Sequence, residues 1–141
     1  MKIEEIEKEI IEEFEMFDNW EDKYQYLIDM GKDLHSLPEE LKTEDRLIKG
    51  CQSRVWMNSD LENGKINYKA DSDAIITKGM VALMIRVLNG QTPDDILKAD
   101  MHFIDQIGLK EHLSPTRANG LLSMIKQMKL DAMALKTKLS S

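Results

Sequence analysis

The chain has 141 residues, the size of one domain with a single core, and the whole of 1–141 reads as one domain. With 42% hydrophobic and 32% charged residues it has the composition of a globular protein rather than a disordered one. A formal net charge of −7 disfavours non-specific binding to nucleic acid or an anionic membrane, and no apolar run approaches the length that spans a bilayer.

The chain starts Met1-Lys2-Ile3-Glu4-Glu5, without the apolar run of a signal peptide. It has one cysteine and hence no disulfide framework, which suits a reducing compartment. The expected location is the cytoplasm.

Ile3, Ile6, Ile10, Phe14 and Phe17 recur at spacings of three and four, one face of an amphipathic helix. Its acidic residues, Glu4, Glu5, Glu7, Glu9, Glu12, Glu13 and Glu15, read as a solvated face. Asp18-Asn19 interrupts the pattern, and Asn19 with Asp22 marks a second helix start. Tyr24, Leu27, Ile28 and Leu34 form its face, and Pro38 closes it. Trp20 is expected to pack where these two helices meet. Residues 39–46 read as a charged connector.

The period then changes. Residues 54–61 and 65–70 flank Glu62-Asn63-Gly64, and Asn-Gly between two strand-like runs signals a hairpin. Trp56 is expected in the core on this hairpin. Leu47-Ile48 reads as the end of a third, short strand, which places Cys51 in a loop between it and the hairpin.

Helix returns from Asp73, with Ile76, Met80, Leu83, Met84 and Val87 as its stripe and Asn89-Gly90 as its end. Asp71, Ser72 and Asp73 are all candidate caps. Thr92-Pro93 with Asp95 opens a short helix, and another is expected over 101–107. Ser114-Pro115 opens the last helix, whose stripe is Leu121, Ile125, Met128, Ala132, Leu135 and Leu139. The ten methionines fall mostly on helical faces and read as core. Helices, a small antiparallel sheet and more helices make an α+β layer fold.

Cys51 lies in Leu47-Ile48-Lys49-Gly50-Cys51-Gln52-Ser53-Arg54-Val55-Trp56. One thiol cannot by itself hold zinc or an iron–sulfur cluster, sites that use several ligands. A free cysteine usually serves as a small buried hydrophobe. Here Gly50 permits a sharp bend, and Lys49, Gln52, Ser53 and Arg54 favour exposure. Lys49 and Arg54 are also near enough to stabilise a thiolate, the nucleophilic form. Local chemistry leaves an inert and a reactive thiol both open. His35, His102 and His112 match no zinc spacing, and no metal is expected.

Arg117 is out of place. With Ser114 as N-cap it falls at the third helical position, where a capping box uses Glu or Gln and the helix dipole disfavours a cation. It is either a solvent-screened charge or an anion or partner contact.

The segment Gly50-Cys51-Gln52-Ser53-Arg54-Val55-Trp56 resembles the G-C-Q-S-x-V-W segment of the SufE family of sulfur acceptors. Four further stretches resemble that family in order: Asn19-Trp20-Glu21-Asp22-Lys23-Tyr24; Asp71-Ser72-Asp73-Ala74 with Lys78-Gly79; Thr92-Pro93 with Asp95-Ile96; and Leu113-Ser114-Pro115-Thr116-Arg117 with Gly120-Leu121. The resemblance implies a three-stranded antiparallel sheet packed by helices, a fold shared with IscU-type scaffolds. It implies that Cys51 accepts persulfide sulfur from a cysteine desulfurase of the SufS or CsdA type and stimulates that enzyme. The sulfur then passes to a SufB-containing scaffold complex. The implied protein is a carrier rather than a stand-alone enzyme, with no cofactor of its own. Lys49, Gly50, Gln52, Ser53 and Arg54 support the loop, and Asp73 and Arg117 are implied partner contacts. Two alternatives stand beside it: an IscU-like cluster scaffold, which would use several cysteines, and a one-cysteine redox protein.

Overall fold

In the computed structural model of the chain, residues 1–35 and 37–139 are described. Helix α1 (Ile3–Glu15) buries Ile3, Ile10 and Phe14, and Glu4 and Glu5 suit the positive end of its dipole. Helix α2 (Trp20–Lys32) is capped by Asn19, whose side chain accepts from the Asp22 N–H at 2.8 Å. It ends at Lys32, short of the expected Pro38. The Leu34 N–H closes the last turn on the Gly31 carbonyl, and Leu37 then turns into the core. Trp20 opens α2, but its ring stacks on His112 at 3.9 Å rather than filling the α1–α2 junction.

Strands β1 (Val55–Glu62) and β2 (Lys65–Ser72) form the hairpin, in register from Val55 opposite Ser72 to Glu62 opposite Lys65. Asn63 and Gly64 both take positive φ, at 52° and 78°, as a type I′ turn requires. The expected third strand is not formed, and the sheet has two strands. Leu47 makes one isolated bridge to Trp56, and the Ile48 N–H donates to the Val55 carbonyl at 2.8 Å. A 3-10 turn (Glu44–Arg46) ends just before this pair, and Gly50 turns the chain away just after it, which leaves too little extended chain for a strand. The other edge, β2, is covered by the segment after the next helix. The Ile66 N–H donates to Gln91, and Ile66 accepts from the Gly90 N–H. A covered edge offers no template for pairing with another chain.

Helix α3 (Ile75–Leu88) is the centre of the molecule. Met80, Val81, Leu83, Met84, Val87 and Leu88 are all buried, so the helix is apolar around most of its circumference. It packs on α1, α2, β2 and the last helix. Its start differs from expectation. Ala74 is the N-cap residue, with no side-chain bond of its own, and the Ala74 N–H donates to Ser72 Oγ at 3.3 Å. Asp71 and Asp73 do not cap this helix because other groups claim them.

Helix α4 (Pro93–Lys98) is capped by Thr92, which accepts from the Asp95 N–H. Helix α5 (Phe103–Gln106) is shorter than the expected 101–107. Met101 has φ 58°, and Asp100 accepts from the His102 N–H, so the chain turns before the helix begins. Helix α6 (Pro115–Leu139) crosses the hairpin. The Tyr68 hydroxyl donates to the Met128 carbonyl at 2.7 Å, and Ser59 donates to Asp131 at 2.7 Å. Its buried stripe is Gly120, Leu121, Met124, Met128, Ala132 and Leu135. Ile125 is half-buried and Leu139 is exposed, so the stripe is rotated slightly from the expected one. The architecture is α+β: a small antiparallel sheet packed by helices.

Where α2 and α3 cross, two glycines face each other. A Cβ on Gly31 would lie 2.7 Å from the Gly79 nitrogen, and a Cβ on Gly79 would run into the Leu27 carbonyl. Both obstacles are backbone and cannot rotate away. Gly79→Ala should therefore lower stability by about 1–3 kcal/mol in chemical denaturation, the range for overpacking a close contact. A variant as stable as the parent would show that the helices do not approach this closely.

Candidate functional site

The Cys51 loop (residues 49–54) is held at both ends. At its start Gly50 has φ 93°, which side-chain-bearing residues rarely adopt. A Cβ there would also collide with Ser123 Oγ of α6. At its end the Arg54 N–H donates to Asp73 Oδ1 at 3.1 Å, and the Asp73 N–H donates back to the Arg54 carbonyl at 3.3 Å. Asp73 is therefore the tie at the base of the loop. Between the ends, Thr77 of α3 donates its hydroxyl to Ser53 Oγ at 3.3 Å.

Cys51 is half-buried, and its thiol donates to the Gly120 carbonyl of α6 at 3.6 Å. A Cβ on Gly120 would stand 3.6 Å from Sγ, in ordinary contact, so Gly120 leaves open space beside the sulfur. A cavity of about 10 Å³ adjoins the thiol. The loop supplies Cys51, Gln52 and Ser53 to its wall, and α3 supplies Thr77 and Met80. Helix α6 closes it with Thr116, Arg117, Gly120 and Met124.

Burial pushes the Cys51 thiol above its ordinary pKa, and it is the sole cause of the shift. The expected thiolate stabilisation by Lys49 and Arg54 is absent in this conformation. Lys49 faces the other way, into a groove with Ser123, Lys126 and Leu130, and the Arg54 side chain is exposed. At neutral pH the seated thiol is protonated and poorly nucleophilic.

Arg117 stands at the third position of α6, as the sequence indicates, and its N–H donates to Ser114 Oγ at 3.3 Å. Its side chain is exposed and reaches the rim of the cysteine cavity. The structure thus brings Cys51, Gln52, Ser53 and Arg117 together. It leaves Lys49 on the far side of the loop and Asp73 at its base. None of the histidines lines the cavity, which gives Cys51 no neighbouring imidazole base. Among the described residues, no group of three or more His, Cys, Asp or Glu side chains is placed to hold a metal ion.

Thr77, Met80, Gly120, Ser123 and Met124 also shape this site, and none is a candidate site residue in the sequence, where Met80 appears only in the α3 stripe and Gly120 only in one of the stretches that resemble the family. Gly120 alone carried a signal, as a glycine inside an otherwise helical pattern, which marks a close approach.

Two outcomes follow from the geometry. Because the pKa of Cys51 is raised, its thiolate fraction grows only as pH climbs through a value above the ordinary one. Its alkylation rate should still be rising beyond pH of about 8.5, where an unperturbed thiol is half ionised. A plateau at lower pH would mean an activated thiolate instead. Arg117→Ala should leave the melting temperature unchanged or slightly higher, since a cation leaves the positive end of a helix dipole. A marked loss of stability would make Arg117 a structural residue.

Comparison with known proteins identifies the family of the chain. The family model described as SufE, Fe-S metabolism associated domain, matches residues 8–132. An uncharacterized SufE-like protein of Rhizobium meliloti is 39% identical, over 88% of this chain and 92% of its own length. One from Synechocystis is 41% identical, over 89% of this chain and 79% of its own. SufE-like protein 1, chloroplastic/mitochondrial, of Arabidopsis thaliana is 37% identical over 93% of this chain, which matches 36% of that longer protein. The solution structure of a hypothetical protein from Thermus thermophilus has the same fold, with a TM-score of 0.77 at 22% identity over 96% of this chain and 97% of its own.

Proposed function

We propose a sulfur-carrier function from one premise: this chain belongs to the SufE family, the Fe-S metabolism associated domain. In this reading residues 1–141 act as one domain with Cys51 as the accepting group. The observation that carries it is the setting of the lone thiol, seated in the G-C-Q-S segment beside a small cavity under α6.

The donor is a cysteine desulfurase of the SufS or CsdA type, carrying a persulfide on its own cysteine. The Cys51 thiolate attacks the outer sulfur of that persulfide. The donor's sulfur–sulfur bond breaks as a new one forms on Cys51, and the donor cysteine leaves as its thiolate. No net oxidation occurs; this is thiol–disulfide exchange carried out on a sulfane sulfur. The same exchange in reverse sense delivers the sulfur to a SufB-containing scaffold complex. The chain works as a carrier and a stimulator of the desulfurase, and is not itself an enzyme.

The geometry supports a two-position loop. Seated, Cys51 is protonated and screened by α6, which protects a loaded sulfur from stray thiols and oxidants. A cavity of about 10 Å³ is near the least that holds one water, and an added sulfur atom has comparable needs. Extended into a donor's site, the thiol would lose the burial that keeps it protonated. Arg117 on the rim and Asp73 at the base would then lie on the docked face.

No helix among the described residues is long and apolar enough to cross a membrane. The cytoplasm remains the proposed compartment, on the single cysteine; the Arabidopsis relative carries the words chloroplastic/mitochondrial in its name. The test is intact mass after incubation with a desulfurase and free cysteine. The parent should gain one sulfur atom, reversible by reductant, and a folded Cys51→Ser variant should gain none. Reducible sulfur on that variant would refute the mechanism.

A further inference from the structure

Among the described residues, Asp71 is the one charged side chain that is buried, at 3% exposure. Its carboxylate is fully engaged. Oδ1 accepts from the Ser72 N–H at 2.8 Å and lies 3.3 Å from Lys78 Nζ; Oδ2 lies 3.2 Å from Lys42 Nζ. Burial by itself would push its pKa up. The Ser72 N–H and the two ammonium groups outweigh that and hold it below the ordinary carboxylate range.

The partners come from two different segments, each connected to the cysteine site. Lys78 belongs to α3, between Thr77 and Met80, which wall the Cys51 cavity. Lys42 starts the stretch that runs through Leu47 and Ile48 into the Cys51 loop, and its ammonium also lies 5.5 Å above the Trp56 ring. Asp71 is paired with Trp56 across the hairpin, and Trp56 is bridged to Leu47. The stretch 42–48 has other ties as well: Lys42 Nζ also lies 3.0 Å from exposed Glu39, Arg46 Nε donates to Asn58 at 3.1 Å, and Ile48 donates to Val55 and is buried in the core. Breaking a buried ion pair from one side leaves an uncompensated charge, so this tie is costly to open.

We propose that Asp71 is a positioning residue for Cys51: by holding Lys42 and Lys78 to one carboxylate it fixes the stretch ahead of the loop against α3, and so keeps the thiol seated beside Gly120. In the sulfur-carrier reading, on which its biological meaning rests, this sets the balance between seated and extended loop. The mechanical claim itself concerns position alone.

The test uses the full chain and no sulfur donor. Cys51 is alkylated with iodoacetamide, at several low denaturant concentrations, in the parent, Asp71→Asn and Lys42→Met. Lys42→Met is the milder change: the apolar stem is preserved and only the ammonium is lost. Both folded variants should alkylate faster, Asp71→Asn by about tenfold, the effect of a 1.4 kcal/mol shift in the seated–open equilibrium. The increase should be insensitive to low denaturant, as local opening is and global unfolding is not. Unchanged rates in folded variants would overturn the proposal, as would an increase that simply tracks global unfolding. If Asp71→Asn fails to fold, Lys42→Met decides alone. Sulfur loading of Cys51 is measured separately, so failure here leaves the carrier reading standing, and failure there leaves this one.

Discussion

The Cys51 loop lies on α6 through two glycines, Gly50 on the loop and Gly120 on the helix, each facing a side chain of the other segment. Gly50 presses on Ser123, and Cys51 rests on Gly120. This contact decides the character of the site. It buries half of the thiol, gives the S–H an acceptor and turns Lys49 away. The elements beneath it exist to hold α6 and α3 at the right separation. Tyr68 and Ser59 pin α6 to the hairpin, and the glycine crossing of α2 and α3 draws the central helix into place.

The strengths of these contacts differ in a useful way. A thiol donating to a carbonyl at 3.6 Å is a weak bond. The tie between Arg54 and Asp73 is exposed to water, and so is modest in net worth. Asp71 is buried between two partly exposed lysines, and stranding its carboxylate makes this tie harder to open. A segment with weak ties, set between firmly held elements, is where local opening is least costly. In the proposed carrier reading, such a loop would seat the thiol and release it without disturbing the core. The raised pKa belongs to the seated state and does not contradict nucleophilic chemistry in the extended one.

Most of the framework was legible in the sequence because it is written in period and punctuation. The stripe of α1, the Asn19 and Thr92 caps, the Asn63-Gly64 turn and the Ser114 cap are all local signals, and each is present. The reading failed where a choice depends on distant neighbours. Asp73 has the chemistry of a cap, but Arg54 reaches it first, and no spacing rule reveals that. Leu47-Ile48 has the composition of a strand, but Gly50 follows α6 and takes the chain away. Lys49 and Arg54 adjoin Cys51 in sequence, yet neither affects its thiol. The seat of the sulfur, made by Gly120, Met124, Thr77 and Met80, comes from two helices far along the chain, and only Gly120 left a trace in the local pattern.

The central claim is direct passage of sulfur from a donor persulfide to Cys51. A desulfurase loaded with radiolabelled sulfur and freed of excess cysteine tests it in a single turnover. After mixing with this chain, the label should appear in the tryptic peptide spanning residues 50–54, at the rate at which it leaves the donor. Label that stays on the donor, or leaves it as free sulfide without passing through that peptide, would contradict the account.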